Sequence, residues 1–486
     1  MSEAPAATET RTEKDSMGEM RVPADVLYGA STQRAVLNFP VSGRTVPLEV
    51  IRAFAMLKAA CAEVNHQLGK LDHGRTAAIE EACKEIESGL SDRGGLERHF
   101  PVDIYQTGSG TSTNMNANEV IANLVCVAQG KAIGSSKDPA HIEAGGVHPN
   151  DHANMGQSSN DTFPTAMHVA CAVEMQLRLL PALETLEHEL VSKAQTWDDV
   201  VKIGRTHLQD ATPIRLGQEF AGYARQIARG RERIQHATKA LGELPIGGTA
   251  VGTGINTHPE FGSRVAKALS ERTGVAFREA ADHCEAQHAK DACVEASGAL
   301  KTVAVSISKI ANDIRWLGSG PRCGIGELRL PAVQPGSSIM PGKVNPVICE
   351  SAVMACCRVV GNDATVTASG FGGVGSLLDL NVAMPVMADA LLESIRLLER
   401  TCHVFTENLL KGLEPDGQRC RDLIEGSLAM CTSLAPVIGY DKAAALAKQA
   451  FSEGKTVREV ATEHNLLPAD ELDRLLDPMS MTRPSE

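Results

Sequence analysis

An apolar stripe in the middle of the chain narrows the possible folds most. Leu300, Val303, Ile307, Ile310, Ile314 and Leu317 follow at spacings of 3, 4, 3, 4 and 3, and Gly318-Ser319-Gly320-Pro321 stops the run. This spacing marks one helix face that other helices must cover. It lasts about two and a half heptads, long enough for bundle packing. Phe54, Leu57, Cys61, Val64 and Leu68 repeat the pattern and end at Gly69. Residues 166–195 and 384–412 read the same way, with Pro181 and Pro385 as kinks or helix starts. Only 3% of residues are aromatic, which disfavours a large sandwich or barrel. The expected fold class is mainly α.

The chain has 486 residues. At roughly 100–200 residues per domain, that length suggests about three parts. The texture places a disordered tail at 1–12, an N-terminal domain at 13–157, a central helical bundle at 158–413 and a small C-terminal helical domain at 414–486. Lys and Arg total 47 against 60 Asp and Glu, a net charge of −13. That balance argues against nucleic-acid or anionic-membrane partners, which need clustered basic charge. No apolar run is long enough for a membrane span, and the first residues lack the apolar core of a secretory signal. The cysteines number thirteen, an odd count with no CxxC pair, so reduced thiols and a cytoplasmic setting are expected. No Cys, His or carboxylate cluster has metal-ligand spacing, so neither metal nor cofactor is expected.

Four polar, glycine-rich loops lie between the long helices, at 204–212, 247–256, 335–346 and 368–376. Backbone N–H groups and small hydroxyl or amide side chains of this kind bind carboxylates without a metal. The most specific is Gly336-Ser337-Ser338-Ile339-Met340-Pro341-Gly342-Lys343-Val344-Asn345-Pro346. It offers a serine as base or nucleophile, a cation and an amide within one short, glycine-bounded segment. The segment resembles the signature loop of the fumarase/aspartase superfamily. The resemblance extends from about Arg11 to Pro478 and includes Gln106-Thr107-Gly108-Ser109-Gly110-Thr111, His148-Pro149-Asn150-Asp151, Ser158-Ser159-Asn160 and Gly204-Arg205-Thr206-His207. Within the superfamily, Gly108-Ser109-Gly110-Thr111, Ser158-Ser159-Asn160, Pro341-Gly342-Lys343 and Gly439-Tyr440-Asp441-Lys442 resemble class II fumarases more than aspartases.

The resemblance implies a three-domain chain whose central long-helix bundle assembles into a tetrameric core, with sites shared between subunits. It implies reversible anti elimination of water from (S)-malate to fumarate through an aci-carboxylate carbanion, as a step of the tricarboxylic acid cycle. Ser337 would be the base, and His207 paired with Glu350 would activate the water. Ser109, Gly110, Thr111, Asn114, Ser158, Ser159, Asn160, Thr206, Ser338, Lys343, Val344 and Asn345 would bind the dicarboxylate. His148, Pro149, Asn150 and Asp151 match a second anion region, although Gly145-Gly146 stands where many relatives carry a basic residue. Leu377-Leu378-Asp379 and Ala435 also depart from the common pattern. The alternatives are aspartate ammonia-lyase, or a superfamily member that has lost catalysis.

Overall fold

A computed structural model of the chain describes residues 9–484. The fold is mainly α, and every sheet among the described residues has only two strands. The expected tail at 1–12 therefore falls in two parts. Residues 1–8 lie outside the described residues, while residues 10–12 open the strand Thr10–Asp15, which pairs antiparallel with Gly18–Pro23. The tail boundary is corrected there, because the Arg11 guanidinium donates to the carbonyls of Pro23 (2.6 Å), Val26 (2.8 Å) and Tyr28 (2.5 Å).

The chain forms two compact units. The first gathers Met1–Leu180, Arg233–Lys301 and Arg358–Leu397. At its centre the helix Leu48–Gln67 packs against His73–Glu87, Ser159–Glu174 and Phe261–Thr273. Its row of Phe54, Leu57, Cys61 and Val64 is buried, as the spacing predicts, and Phe54 meets the Phe163 ring at 5.9 Å. The helix Thr111–Ala128 packs against Ser159–Glu174, so the N-termini of two helices belong to one layer.

The second unit gathers Pro181–Glu232, Thr302–Cys357 and Leu398–Glu486. Trp197, Phe220 and Tyr223 stack edge to face within it. Ile424, Leu434, Val460 and Leu476 form a separate core under the short helices Tyr440–Glu453, Val457–Glu463 and Ala469–Leu475. Residues 204–212, read from sequence as a loop, instead belong to an antiparallel hairpin of Val201–Thr206 and Gln209–Arg215.

Leu216–Leu241, Asp291–Leu317, Val347–Gly370 and Met384–Asn408 are the four longest helices described, and each contributes residues to both units. The stripe from Leu300 to Ile314 is at most 1% exposed. Pro181 follows a π-turn at Met175–Leu179 and begins a new stretch of helix, and Pro385 sits at a helix start. All thirteen cysteines are described, and all are free. Among the described residues, no helix is long and apolar enough to cross a membrane.

Candidate active site

In the first unit, two helices begin at the same place. Gly110 has φ +74° before Thr111–Ala128, and a Cβ there would lie 2.0 Å from the Phe163 ring. A Cβ on Gly108 would overlap the Val382 carbonyl oxygen at 1.6 Å. Both glycines are thus demanded by close backbone approach, not by flexibility alone. Ser158 caps Ser159–Glu174 through a capping box with Asp161. The two helix starts are stitched by hydroxyls: Ser109 Oγ lies 2.9 Å from Thr111 Oγ1, and Thr111 Oγ1 lies 2.8 Å from Ser159 Oγ. Helix N-termini carry partial positive charge and unsatisfied N–H groups, so their convergence makes a seat for an anion. Asn160 borders this seat, its amide held by the Ala250 carbonyl at 2.8 Å.

Asn114 faces inward. Its Nδ2 donates to Asn154 Oδ1 at 3.1 Å, and its Oδ1 accepts from Thr162 Oγ1 at 3.1 Å. Asn154 Oδ1 also accepts from Asn118 Nδ2 (3.2 Å) and Lys58 Nζ (2.9 Å), and Lys58 donates a second bond to Gln157 Oε1. Burial holds the Lys58 ammonium down at about 8. The motif reading overlooked Lys58 as part of this support. Its signal is a lysine three residues before Cys61 and four after Phe54, on the apolar face of its helix. Asp161, also missed, is fully buried and accepts N–H groups from Ser158 (2.9 Å), Thr249 (2.9 Å) and Gly247 (3.2 Å). Burial lifts its carboxyl to about 6 despite these bonds and the Lys58 charge.

The segment around His148 is compact. His148 Nδ1 accepts N–H groups from Asn150 (3.3 Å) and Asp151 (3.1 Å), which leaves no proton on that nitrogen. Burial holds its pKa below the ordinary histidine value, so the Asp151 carboxylate 3.2 Å away does not form an ion pair with a charged ring near neutral pH. Pro149 is buried in the following π-turn. Gly146 is required by packing, since a Cβ would lie 2.4 Å from the His141 ring, and its carbonyl accepts from Arg75 Nε at 3.0 Å. A basic side chain thus reaches this segment from the helix His73–Glu87.

The serine loop lies in the second unit, folded back on itself. The Gly336 N–H donates to the Lys343 carbonyl (3.0 Å), and Asn345 Nδ2 donates to the Gly336 carbonyl (2.6 Å). Ser337 Oγ accepts from the N–H groups of Ile339 (3.3 Å) and Met340 (3.1 Å). The Asn345 amide therefore latches the loop in this structure. Ser337 is half-buried, Ser338, Lys343 and Val344 are exposed, and Ile339 is 83% exposed at the tip. Glu350 is exposed in the first turn of Val347–Gly370.

Thr206 and His207 are exposed at the hairpin end. His207 and Leu208 form its two-residue connection, both with φ +59°. This is the sign pattern of a type I′ turn, for which Asn-Gly is the usual sequence. For residues with a Cβ, each such conformation costs about 1–3 kcal/mol and tends to persist where function requires it. No hydrogen bond joins His207 to Glu350 or Ser337 among the described residues of this one chain. Nor do the described residues contain a group of three or more His, Cys, Asp or Glu side chains placed to hold a metal ion.

Comparison with known proteins bears on this arrangement. A lyase family matches residues 18–361, and a family described as the fumarase C C-terminus matches 430–483. A class II fumarate hydratase from Corynebacterium efficiens is 52% identical over 99% of this chain and 98% of its own length. The chain belongs to the class II fumarase family. Other members of the family match over nearly their whole length. The class II fumarate hydratase of Thermosynechococcus vestitus is 51% identical over 96% of this chain and 97% of its own. Mitochondrial fumarate hydratase 1 of Arabidopsis thaliana is 48% identical over 99% and 94%. The crystal structure of a class II fumarase from Schistosoma mansoni superposes with a TM-score of 0.92 at 37% identity, covering 98% of this chain and 100% of that one.

Proposed function

We propose that this class II fumarase-family chain is a fumarate hydratase that interconverts (S)-malate and fumarate in the tricarboxylic acid cycle. The observation that carries the substrate reading is the stitching of two helix N-termini through Thr111 and Ser159. Neutral hydroxyl, amide and backbone donors suit a dianion that must bind and then leave. Ser109, Gly110, Thr111, Asn114, Ser158, Ser159, Asn160 and Thr206 hold the carboxylates. Ser338, Lys343, Val344 and Asn345 complete the site when the loop engages substrate.

Removing the C3 proton of malate is difficult because the carbon acid is very weak. Fixed donors aimed at the developing aci-carboxylate each contribute roughly 2.7–4 kcal/mol. Lys343, the loop N–H groups and Asn345, released from its bond to Gly336, serve this role. Ser337 Oγ takes the proton. Two backbone N–H groups already point at that oxygen, which supports a depressed serine pKa. The C2 hydroxyl then leaves as water, its departure assisted by His207 with Glu350. His148, Pro149, Asn150 and Asp151 form a second, weaker anion site.

The active form is a homotetramer. The Val347–Gly370 helix supports this, because Met354 and Val360 along it are apolar yet 67% and 44% exposed. The cytoplasm is the proposed compartment, and the proposed domains are an N-terminal one ending at 157, now begun at the Thr10 strand, then 158–413 and 414–486. L-Aspartate tests the substrate assignment: ammonia release should be far slower than malate dehydration under the same conditions. Comparable rates would replace the reading with an ammonia-lyase.

A further inference from the structure

The strained tip that carries His207 stands on a buried group of charges. Glu327 is completely buried, and its Oε2 accepts from Arg205 Nη1 at 2.8 Å and lies 3.3 Å from Lys202 Nζ. Lys202, 1% exposed, also donates to Glu219 Oε1 at 2.9 Å and to the Ile203 carbonyl at 2.7 Å. Glu327 is fixed through its own backbone. Its N–H donates to the Leu317 carbonyl at the end of Asp291–Leu317, and its carbonyl accepts from Asp416 N–H, both at 2.8 Å. Two cations and two carboxylates close the charge balance within the second unit.

The hairpin register is irregular between these two cations. Residues 202 and 205 face opposite sides of an unbroken strand. The pairing runs Val201 with Arg215, Lys202 with Ile214 and Ile203 with Pro213, then resumes one step out of phase as Arg205 with Asp210 and Thr206 with Gln209. The break falls at Gly204, where a Cβ would lie 2.6 Å from the Thr212 carbonyl oxygen. The extra residue is on the facing strand, where Ala211 and Thr212 stand opposite Gly204, and such an irregularity bends the hairpin and increases its twist. The strand beyond the break is therefore tied by Arg205 to a fixed carboxylate, two residues before the left-handed turn.

Removing either partner of a buried pair leaves an uncompensated charge, and replacing such groups with apolar ones is often neutral or stabilising. This arrangement thus has little value as a source of stability. Its value is geometric. We propose that Arg205 and Glu327 are positioning residues for His207, holding the hairpin tip in the one orientation from which the imidazole can act on the departing water. The inference rests on the role given to His207 above.

The test uses the full-length assembled enzyme, with oligomeric size and melting temperature checked for each variant. Arg205→Lys should lower kcat about 10–100-fold, the scale of loss when a catalytic group is displaced by roughly 1 Å. KM for malate should change by about twofold or less, and exchange of the malate C3 proton with solvent should persist, because Ser337 is untouched. Arg205→Lys combined with His207→Asn should be no slower than His207→Asn alone, as expected for residues that act through one group. Glu327→Gln, which keeps the shape of the side chain but removes the charge that anchors Arg205, should reproduce the same pattern. Equal loss of exchange and turnover, multiplicative losses in the double variant, or full turnover in both Arg205→Lys and Glu327→Gln would overturn the proposal. Unchanged turnover in His207→Asn would overturn the role of His207 and this inference with it. A His207-dependent enzyme with multiplicative losses would overturn this inference alone.

Discussion

Ser337 and His207, the proposed base and water-activating residue, occupy different kinds of backbone. The serine oxygen already accepts two backbone N–H groups inside a latched loop. The histidine sits on a left-handed hairpin tip. With Ser337 as the proposed base, Ser337→Ala should leave anion binding in place and lower kcat about 10²–10⁴-fold with a small change in KM. His207→Asn should lose overall turnover while C3 exchange of malate survives. Isotope exchange measured beside fumarate formation distinguishes the two, and parallel losses in both variants would show that they do not divide the work. The serine loop was legible in the sequence because its chemistry is contiguous over eleven residues. Lys58 and Asp161 were not, since their partners Asn154, Gln157 and Gly247 come from other segments and buried hydrogen bonding leaves no periodic trace.

At the scale of elements, the anion seat depends on how the helix Ser159–Glu174 begins. Asp161 closes its capping box and also accepts N–H groups from Gly247 and Thr249. Asp161→Asn would turn an amide donor toward existing donors. The expected loss is about 1–3 kcal/mol for each bond left unmade, read as a lower melting temperature. Asp161 also has a defined pH signature. Its folded pKa, about 6, lies above the ordinary 3.8, so folding favours the protonated form. That stabilising contribution is full below about 3.8 and is lost as pH rises through about 6. Chemical denaturation across this window should show that fall in the parent protein and its absence in Asp161→Asn. The long helices were readable because their apolar period is sustained, as from Leu300 to Leu317. The 201–215 hairpin was not, because His207-Leu208 lacks the Asn-Gly signal and the register break at Gly204 interrupts alternation.

For the whole molecule, the apolar residues left open on the Val347–Gly370 helix call for partners, and the proposed assembly is four chains of 51.6 kDa each. Sedimentation or native mass spectrometry should give four times the chain mass, and a monomer retaining full activity would contradict sites shared between subunits. The proposed chemistry uses serine, lysine and histidine, so EDTA should leave activity unchanged; loss restored by a divalent cation would contradict it. The central claim is the reaction itself. Purified protein supplied with (S)-malate and monitored for the ultraviolet absorbance of the fumarate double bond should show a rise to equilibrium, and fumarate supplied alone should decline to the same mixture. No absorbance change with malate, in protein that is folded and assembled, would contradict the account.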